Sequence, residues 1–192
     1  MKPVTAFQGE YRFLSNFWPC VIQWEGLVYP TLEHAYAASK TNDPSIKIQI
    51  QACATPGDAK EYLAQHHLQA DDTWTRERKL DVMEKLLLTK FSGQDPLLTR
   101  ALMATGDAAL IEGNDWDDRF WGVCNGEGEN QLGKLLMGVR EQLFHEKALL
   151  EKYVATVGTH QALADKAGLS RSALYQKMIA FGISQSKFLG YV

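Results

Sequence analysis

At 192 residues the chain has room for one medium domain and a small appendage, and its 45% apolar share supplies a real core, which excludes wholesale disorder. Cys20, Cys53 and Cys124 are odd in number and never form a CxxC pair, which argues against a disulfide framework or thiolate metal site and fits a reducing compartment. The N-terminal MKPVTAFQGEYRF has no apolar signal region, and no run approaches the roughly 18 apolar residues of a membrane span. The expectation is a cytoplasmic protein with no membrane contact.

The net charge is −3, from 20 basic and 23 acidic residues, and its distribution is uneven. From Lys147 onward, six basic residues face two acidic ones, a balance of +4 that leaves −7 for the rest. Such asymmetry suggests two units, the basic one suited to polyanion contact.

In chain order, residues 11–17, 21–24 and 27–29 read as short strands, the last two around a Glu25-Gly26 turn. Thr31 is expected to cap a helix reaching about Lys40, with Glu33 in the first turn, where the helix dipole favours a carboxylate. Residues 46–53 and 58–66 suggest two more short helices. The strongest helical pattern spans 74–91, where Leu80, Met83, Leu87 and Phe91 recur at three- and four-residue steps. Asp95-Pro96 opens a helix to about Ala104, residues 109–112 read as a strand, and 114–128 as a loop. Asn130 is expected to cap a long helix through Leu143 or Tyr153. The pattern predicts an α+β fold, predominantly α-helical, over residues 1–146, with a small helical unit over 147–192.

The GxxxxGK[ST], HExxH and GxSxG signatures are missing, and the five histidines share no ligand spacing, so no metal site is expected. What stands out is polar residues set among aromatics, in YRFLSNFWP (11–19), YPTLEHAYAASK (29–40), TWTRER (73–78), DWDDRFWG (115–122) and GEGENQLGKLLMGVRE (126–141). Glu33, Tyr36 and Lys40 fall on one helix face. A carboxylate and an ammonium beside aromatics suit a substrate that develops a cation and carries phosphates; the competing reading is a surface ion pair beside a core tyrosine. Asp115, Asp117 and Asp118 alternate with Trp116, Phe120 and Trp121, and exposing such rings is unfavourable unless they line a pocket. Gly126, Gly128 and Gly133 suit either an anion site at a helix start or close packing at Gly133 and Gly138. Glu127 and Glu129 would repel a phosphate there.

Taken together, the order and spacing of these elements resemble the NADAR (YbiA-like) family over residues 5–146. Leu14-Ser15-Asn16-Phe17 is similar to its SNF element, Pro30-Thr31-Leu32-Glu33-His34 with Lys40 to its P-T-x-E-H helix, and Trp74 to the tryptophan before its central helix. Asp118-Arg119-Phe120-Trp121-Gly122 resembles D-x-x-W-G, and Gly128-Glu129-Asn130-Gln131-Leu132-Gly133, with Arg140, resembles the final G-x-N-x-L-G helix. Members are N-glycosidases that split riboflavin-pathway intermediates from ribose phosphate or remove ADP-ribose from modified guanine. The chain departs from the family at Glu127 and Glu129, where relatives often carry basic residues.

The resemblance implies a site. N-glycosidic cleavage builds positive charge on the ribose carbon, and Glu33 would stabilise it and activate water. Asp118 would be the second carboxylate, orienting ribose hydroxyls or the water. Trp74 and Trp121 would stack on the base, with Phe17 and Tyr36 in the same site. Asn16 and Asn130 would donate hydrogen bonds, and Lys40 and Arg12 would meet a phosphate. No cofactor is needed for hydrolysis.

Residues 160–183 read as two short helices around Ala167-Gly168-Leu169-Ser170 and resemble a Fis-type helix-turn-helix. That resemblance places Arg171, Ser172, Tyr175, Gln176 and Lys177 on a DNA-reading helix. The alternative is a hairpin that packs on the catalytic domain or mediates homodimerisation. The leading functional reading is removal of ADP-ribose from guanine, within DNA or free. A riboflavin-pathway riboside is the second substrate, and a non-catalytic nucleotide-sensing DNA-binding regulator the third reading.

Overall fold

The computed structural model describes residues 1–92, 95–156 and 159–184. Strands β1 (Pro19–Trp24) and β2 (Leu27–Thr31) form an antiparallel hairpin. Glu25 and Gly26 both take left-handed backbone angles (φ 48° and 81°), the turn geometry whose twist matches two-residue hairpins. Ile22 pairs with Tyr29 on the buried face, while Val21 and Val28 point outward.

β2 runs without a loop into α1 (Leu32–Ala38), because Thr31 is both the last strand residue and the N-cap. Its hydroxyl accepts from the His34 N–H (3.3 Å) and meets His34 Nδ1 at 2.7 Å. His34 Nε2 lies 3.2 Å from the Cys53 carbonyl, which fixes the start of α1 against the end of the next helix. Burial lowers the His34 pKa and favours the neutral ring, which can accept from the Thr31 hydroxyl at Nδ1 and donate to the Cys53 carbonyl from Nε2. Every residue of α1 is buried, packed between the hairpin and the three helices that follow.

Those helices are α2 (Pro44–Gln51), α3 (Pro56–Gln65) and α4 (Arg76–Phe91), and α5 (Pro96–Ala104) comes next. Each starts where a side chain caps it. Asp43 caps α2, Thr55 and Asp58 form a reciprocal capping box on α3, Thr75 caps α4 and Asp95 caps α5. These caps place α2 and α3 two residues earlier, and α4 two residues later, than apolar periodicity suggests.

The expected first strand is instead a 3₁₀ helix, Gly9–Leu14. Its bonds are local, Tyr11 N–H to the Gln8 carbonyl (3.0 Å) and Ser15 N–H to that of Arg12 (3.1 Å), and no neighbouring strand pairs with it. The strand expected over 109–112 is reduced to a bridge between Leu110 and Val4, and regular pairing begins just after it. There β3 (Gly113–Asn114) lies parallel to β4 (Val123–Cys124).

Helix α6 (Gln131–Thr156) is continuous across the expected boundary at 146–147. Beyond it, α7 (His160–Ala167) and α8 (Arg171–Phe181) meet at a tight turn with Gly168 in the left-handed region. The pair docks on the rest of the chain: α7 contacts α6, α8 contacts α5, and Leu163, Leu174, Met178 and Phe181 join the common core. Arg100 on α5 donates to the Ala180 carbonyl (3.3 Å) and to that of Ile179 at the end of α8. Among the described residues, no helix is long and apolar enough to cross a membrane.

Two glycines of α6 behave oppositely. A carbon added at Gly133 would lie 2.1 Å from the Leu110 carbonyl oxygen, whereas one added at Gly138 meets nothing within 4 Å. Close packing thus explains Gly133 and not Gly138. Gly133→Ala is expected to cost about 1–3 kcal/mol of stability in chemical denaturation. Gly138→Ala should raise stability by roughly 0.5–1 kcal/mol, as expected for a helix-interior glycine with room for a methyl group.

Candidate active site

The first wall of the site is α1. The Glu33 N–H, otherwise unsatisfied in the first helical turn, donates to the Asn16 carbonyl (3.1 Å), which brings the loop after the 3₁₀ helix beside the glutamate. Phe17 N–H donates to Ser15 Oγ (3.2 Å) in the same loop. Lys90 of α4, itself buried and carrying a pKa lowered by burial to about 8, donates to the Ser15 carbonyl at 2.8 Å. Glu33 is only 6% exposed, so the surface-pair reading fails.

Burial raises the Glu33 pKa; Lys40, Lys60 and a hydrogen bond from Asn16 oppose the rise, and Asp118 adds to it. Lys40 has its own pKa lowered by burial, held up by Glu33 and lowered further by Lys60 and Lys79. Its ammonium sits 5.5 Å from the Tyr36 ring centroid. Tyr36, with its phenol kept neutral by burial, is the middle of an aromatic seam. Trp74 lies 5.4 Å away on one side and Trp121 5.6 Å away on the other, with Phe120 4.8 Å beyond Trp121.

The facing wall comes from the segment between α5 and α6. Asn114 clamps the loop, accepting from the Asp118 N–H (3.0 Å) and donating to the Asp118 carbonyl (2.8 Å). Asp118 Oδ1 accepts in turn from the Trp121 N–H (2.9 Å). Between the walls lies a cleft of about 1230 Å³. It is lined by Arg12, Asn16, Phe17, Glu33, Tyr36, Lys40, Trp74, Asp118 and Trp121, nine of the ten expected site residues.

The tenth, Asn130, has a different place. Its backbone is left-handed (φ 52°), and its amide accepts from the Glu112 N–H (3.0 Å) and donates to the Leu110 carbonyl (2.9 Å). It holds the wall and does not line the cleft. Glu127 and Glu129 are also outside it, paired with Arg119 and Arg76, and Arg76 lies 4.7 Å over the Phe120 ring.

The cleft contains groups the sequence reading did not select. Lys60 on α3 and Lys79 on α4 join Lys40, but each looks like an ordinary solvated helix residue in sequence. Glu112 is the third, a carboxyl whose pKa is pushed up to about 7, first by burial and then by Asp118. A lone glutamate closing the apolar run Ala109-Leu110-Ile111 was its only sequence signal. Two buried polar atoms lining the cleft, Asn16 Oδ1 and Glu112 Oε2, have no partner in the protein, which suits a ligand that supplies one. No group of three His, Cys, Asp or Glu side chains able to hold a metal occurs among the described residues.

The NADAR domain family matches residues 5–144, and the chain belongs to that family. N-glycosidase YbiA of Escherichia coli is 36% identical over 141 residues, covering 72% of this chain and 85% of that protein. The solved NMR structure of E. coli YbiA superposes with a TM-score of 0.66 at 33% identity, over 77% of this chain and 89% of the other. A riboflavin biosynthesis protein of Vibrio vulnificus is 34% identical over 145 residues, 74% of this chain but 39% of that protein. The aligned region therefore spans well under half of the Vibrio relative.

The buried carboxyl of Glu33 has a stability consequence. Its folded pKa lies above its unfolded one, so its contribution is best at low pH and is lost as pH rises through the folded value. Glu33→Gln should therefore melt higher than wild type at pH 8, on the order of 2–4 °C for each kcal/mol relieved, with the difference shrinking toward pH 4. Thermal melts across that range check the sign.

Proposed function

We propose that this protein hydrolyses the N-glycosidic bond between ribose and a base, with ADP-ribosylated guanine as its substrate. The chain is an N-glycosyl hydrolase by its membership among relatives named N-glycosidase. The observation that carries the finer reading is the division of one large cleft into three parts. A carboxylate, Glu33, stands beside an aromatic seam that can take a flat base, and Lys40, Lys60 and Lys79 gather at one side, where a pyrophosphate would bind.

In this reading Glu33 faces the anomeric carbon. As the C–N bond lengthens, positive charge develops there and the carboxylate stabilises it. The same group takes a proton from the attacking water, a task for which its raised pKa makes it a stronger base. Asp118, anchored by the Trp121 N–H, orients the ribose hydroxyls. A riboflavin-pathway riboside is the second reading, and the Vibrio relative's name is what favours it.

Glu33→Gln is expected to lower the rate of base release from ADP-ribosylated guanosine on the order of a hundred- to a thousandfold, with the fold intact. Trp74→Ala should weaken binding by about 1–3 kcal/mol if the ring stacks on the base. Chromatography of released guanosine, with ribosylated riboflavin intermediates run in parallel, separates the two substrates. Glu33→Gln turnover near the wild-type rate removes Glu33 from its role.

A nucleic-acid role for α8 rests on Arg171, Ser172, Tyr175 and Gln176, which are exposed. Lys177 is committed elsewhere, 2.7 Å from Glu146 on α6. Docking of α7 and α8 on the body favours the hairpin alternative. Duplex DNA binding, measured by fluorescence anisotropy, is expected to be weak and to vanish between 50 and 200 mM salt, because few phosphate contacts remain available. Tight binding that survives the higher salt would restore the DNA-reading assignment.

A further inference from the structure

We infer that Glu112 is the general acid of this site, delivering a proton to the departing base while Glu33 handles the sugar and the water. The inference rests on the N-glycosidase reading of the cleft and adds the group that the leaving base requires. A purine or pyrimidine expelled as an anion is a poor leaving group, so proton transfer to it is the natural second half of the reaction.

Position comes first. Glu112 lines the wall opposite α1, and its backbone is held on both sides: its N–H donates to Asn130 Oδ1 (3.0 Å), and its carbonyl accepts from the Val123 N–H (2.8 Å). A side chain at position 122 would collide with that carbonyl at 2.2 Å and reach within 3.1 Å of the Glu112 side chain, so Gly122 leaves the space Glu112 occupies. Glu112 Oε2 is buried and has no protein partner. A carboxylate left this way is costly; a carboxylic acid waiting for a substrate nitrogen is not.

The surrounding charges agree. Asp118, from the loop before β4, is the charged neighbour that acts on Glu112, and it favours the protonated form. Of the other charged groups in the cleft, Glu33 and Lys40 stand on or just after α1, Lys60 on α3, Lys79 on α4 and Arg12 on the 3₁₀ helix. Burial raises both carboxyls, but Lys40 and Lys60 oppose the rise at Glu33, while Glu112 has no cation among the causes of its shift. Two carboxyls whose surroundings differ in this way divide naturally into base and acid.

The step balances. The C1–N bond breaks with its electron pair going to the base nitrogen, which takes the Glu112 proton. Water adds to C1 and gives its proton to Glu33. Glu112 ends as carboxylate and Glu33 as acid, and exchange with solvent restores both.

Three proteins and two probes test this: wild type, Glu112→Gln and Glu112→Asp, on ADP-ribosylated guanosine and on ADP-ribose carrying 4-nitrophenolate in place of the base. Wild type should lose kcat/KM on the guanosine probe as pH rises through about 7, the value at which Glu112 gives up its proton. Glu112→Gln should lower that rate about a hundredfold or more and abolish the alkaline limb. On the nitrophenyl probe, whose leaving group needs no proton, it should change little. Glu112→Asp should keep the alkaline limb at reduced rate. Far-UV circular dichroism and melts at pH 5 verify folding of each variant. A Glu112→Gln enzyme that keeps wild-type rate and limb overturns the inference, and so does equal loss on both probes. A wild-type protein inactive on both probes instead removes the N-glycosidase reading beneath it.

Discussion

A seven-residue helix with no exposed face cannot leave the free N–H groups of its first turn to water, so α1 depends on partners supplied from elsewhere in the chain. Thr31 takes the His34 N–H and Asn16 takes that of Glu33. The second bond has the larger consequence. It draws the loop of residues 15–17 onto the first turn of α1, and with it the Asn16 side-chain amide that hydrogen-bonds the buried carboxylate. Loss of the cap would leave unpaired polar groups in the core and scatter the glutamate's neighbours together. The hydrogen bonds that permit α1 to be buried are the same ones that assemble half the site.

The other half is built by a different device. Asn130, Gly122 and Gly133 let three backbone segments approach closely, and Asn114 closes the loop that carries Asp118 and Trp121. The first wall is therefore a helix stabilised by burial, and the second an irregular chain stabilised by side-chain-to-backbone bonds. The aromatic seam of Trp74, Tyr36 and Trp121 spans the two. Irregular backbone held on a rigid scaffold can aim several side chains at one point.

What was legible in sequence followed from periodicity and caps. Glu33, Tyr36 and Lys40 share a helix face by arithmetic alone, and the aromatics around Asp118 announced a lined pocket. Asn130 stands where expected, directly before α6 with its carbonyl accepting from the Lys134 N–H, but its side chain is committed to residues 110–112, a tie that local pattern does not reveal. Residues 11–17 mix aromatics with turn formers and read as a short strand, yet the chain closes its bonds locally there in a 3₁₀ helix. Lys60, Lys79 and Glu112 escaped because only tertiary packing brings them to the cleft. The change in charge near residue 147 falls close to the end of the family match at 144 but does not end a helix, and α6 runs through it to Thr156.

Glu127 and Glu129 are each the counterion of an arginine, one near in sequence and one far. Glu129 meets Arg76, 53 residues away, and Glu127 meets Arg119. Neither charge can be reversed alone without placing two like charges side by side, one of those arginines also lying over the Phe120 ring. A basic residue at position 129 would stand against Arg76 of α4, so a reversal there calls for a second exchange at 76, while one at 127 calls for its exchange at 119, in the loop that carries Asp118.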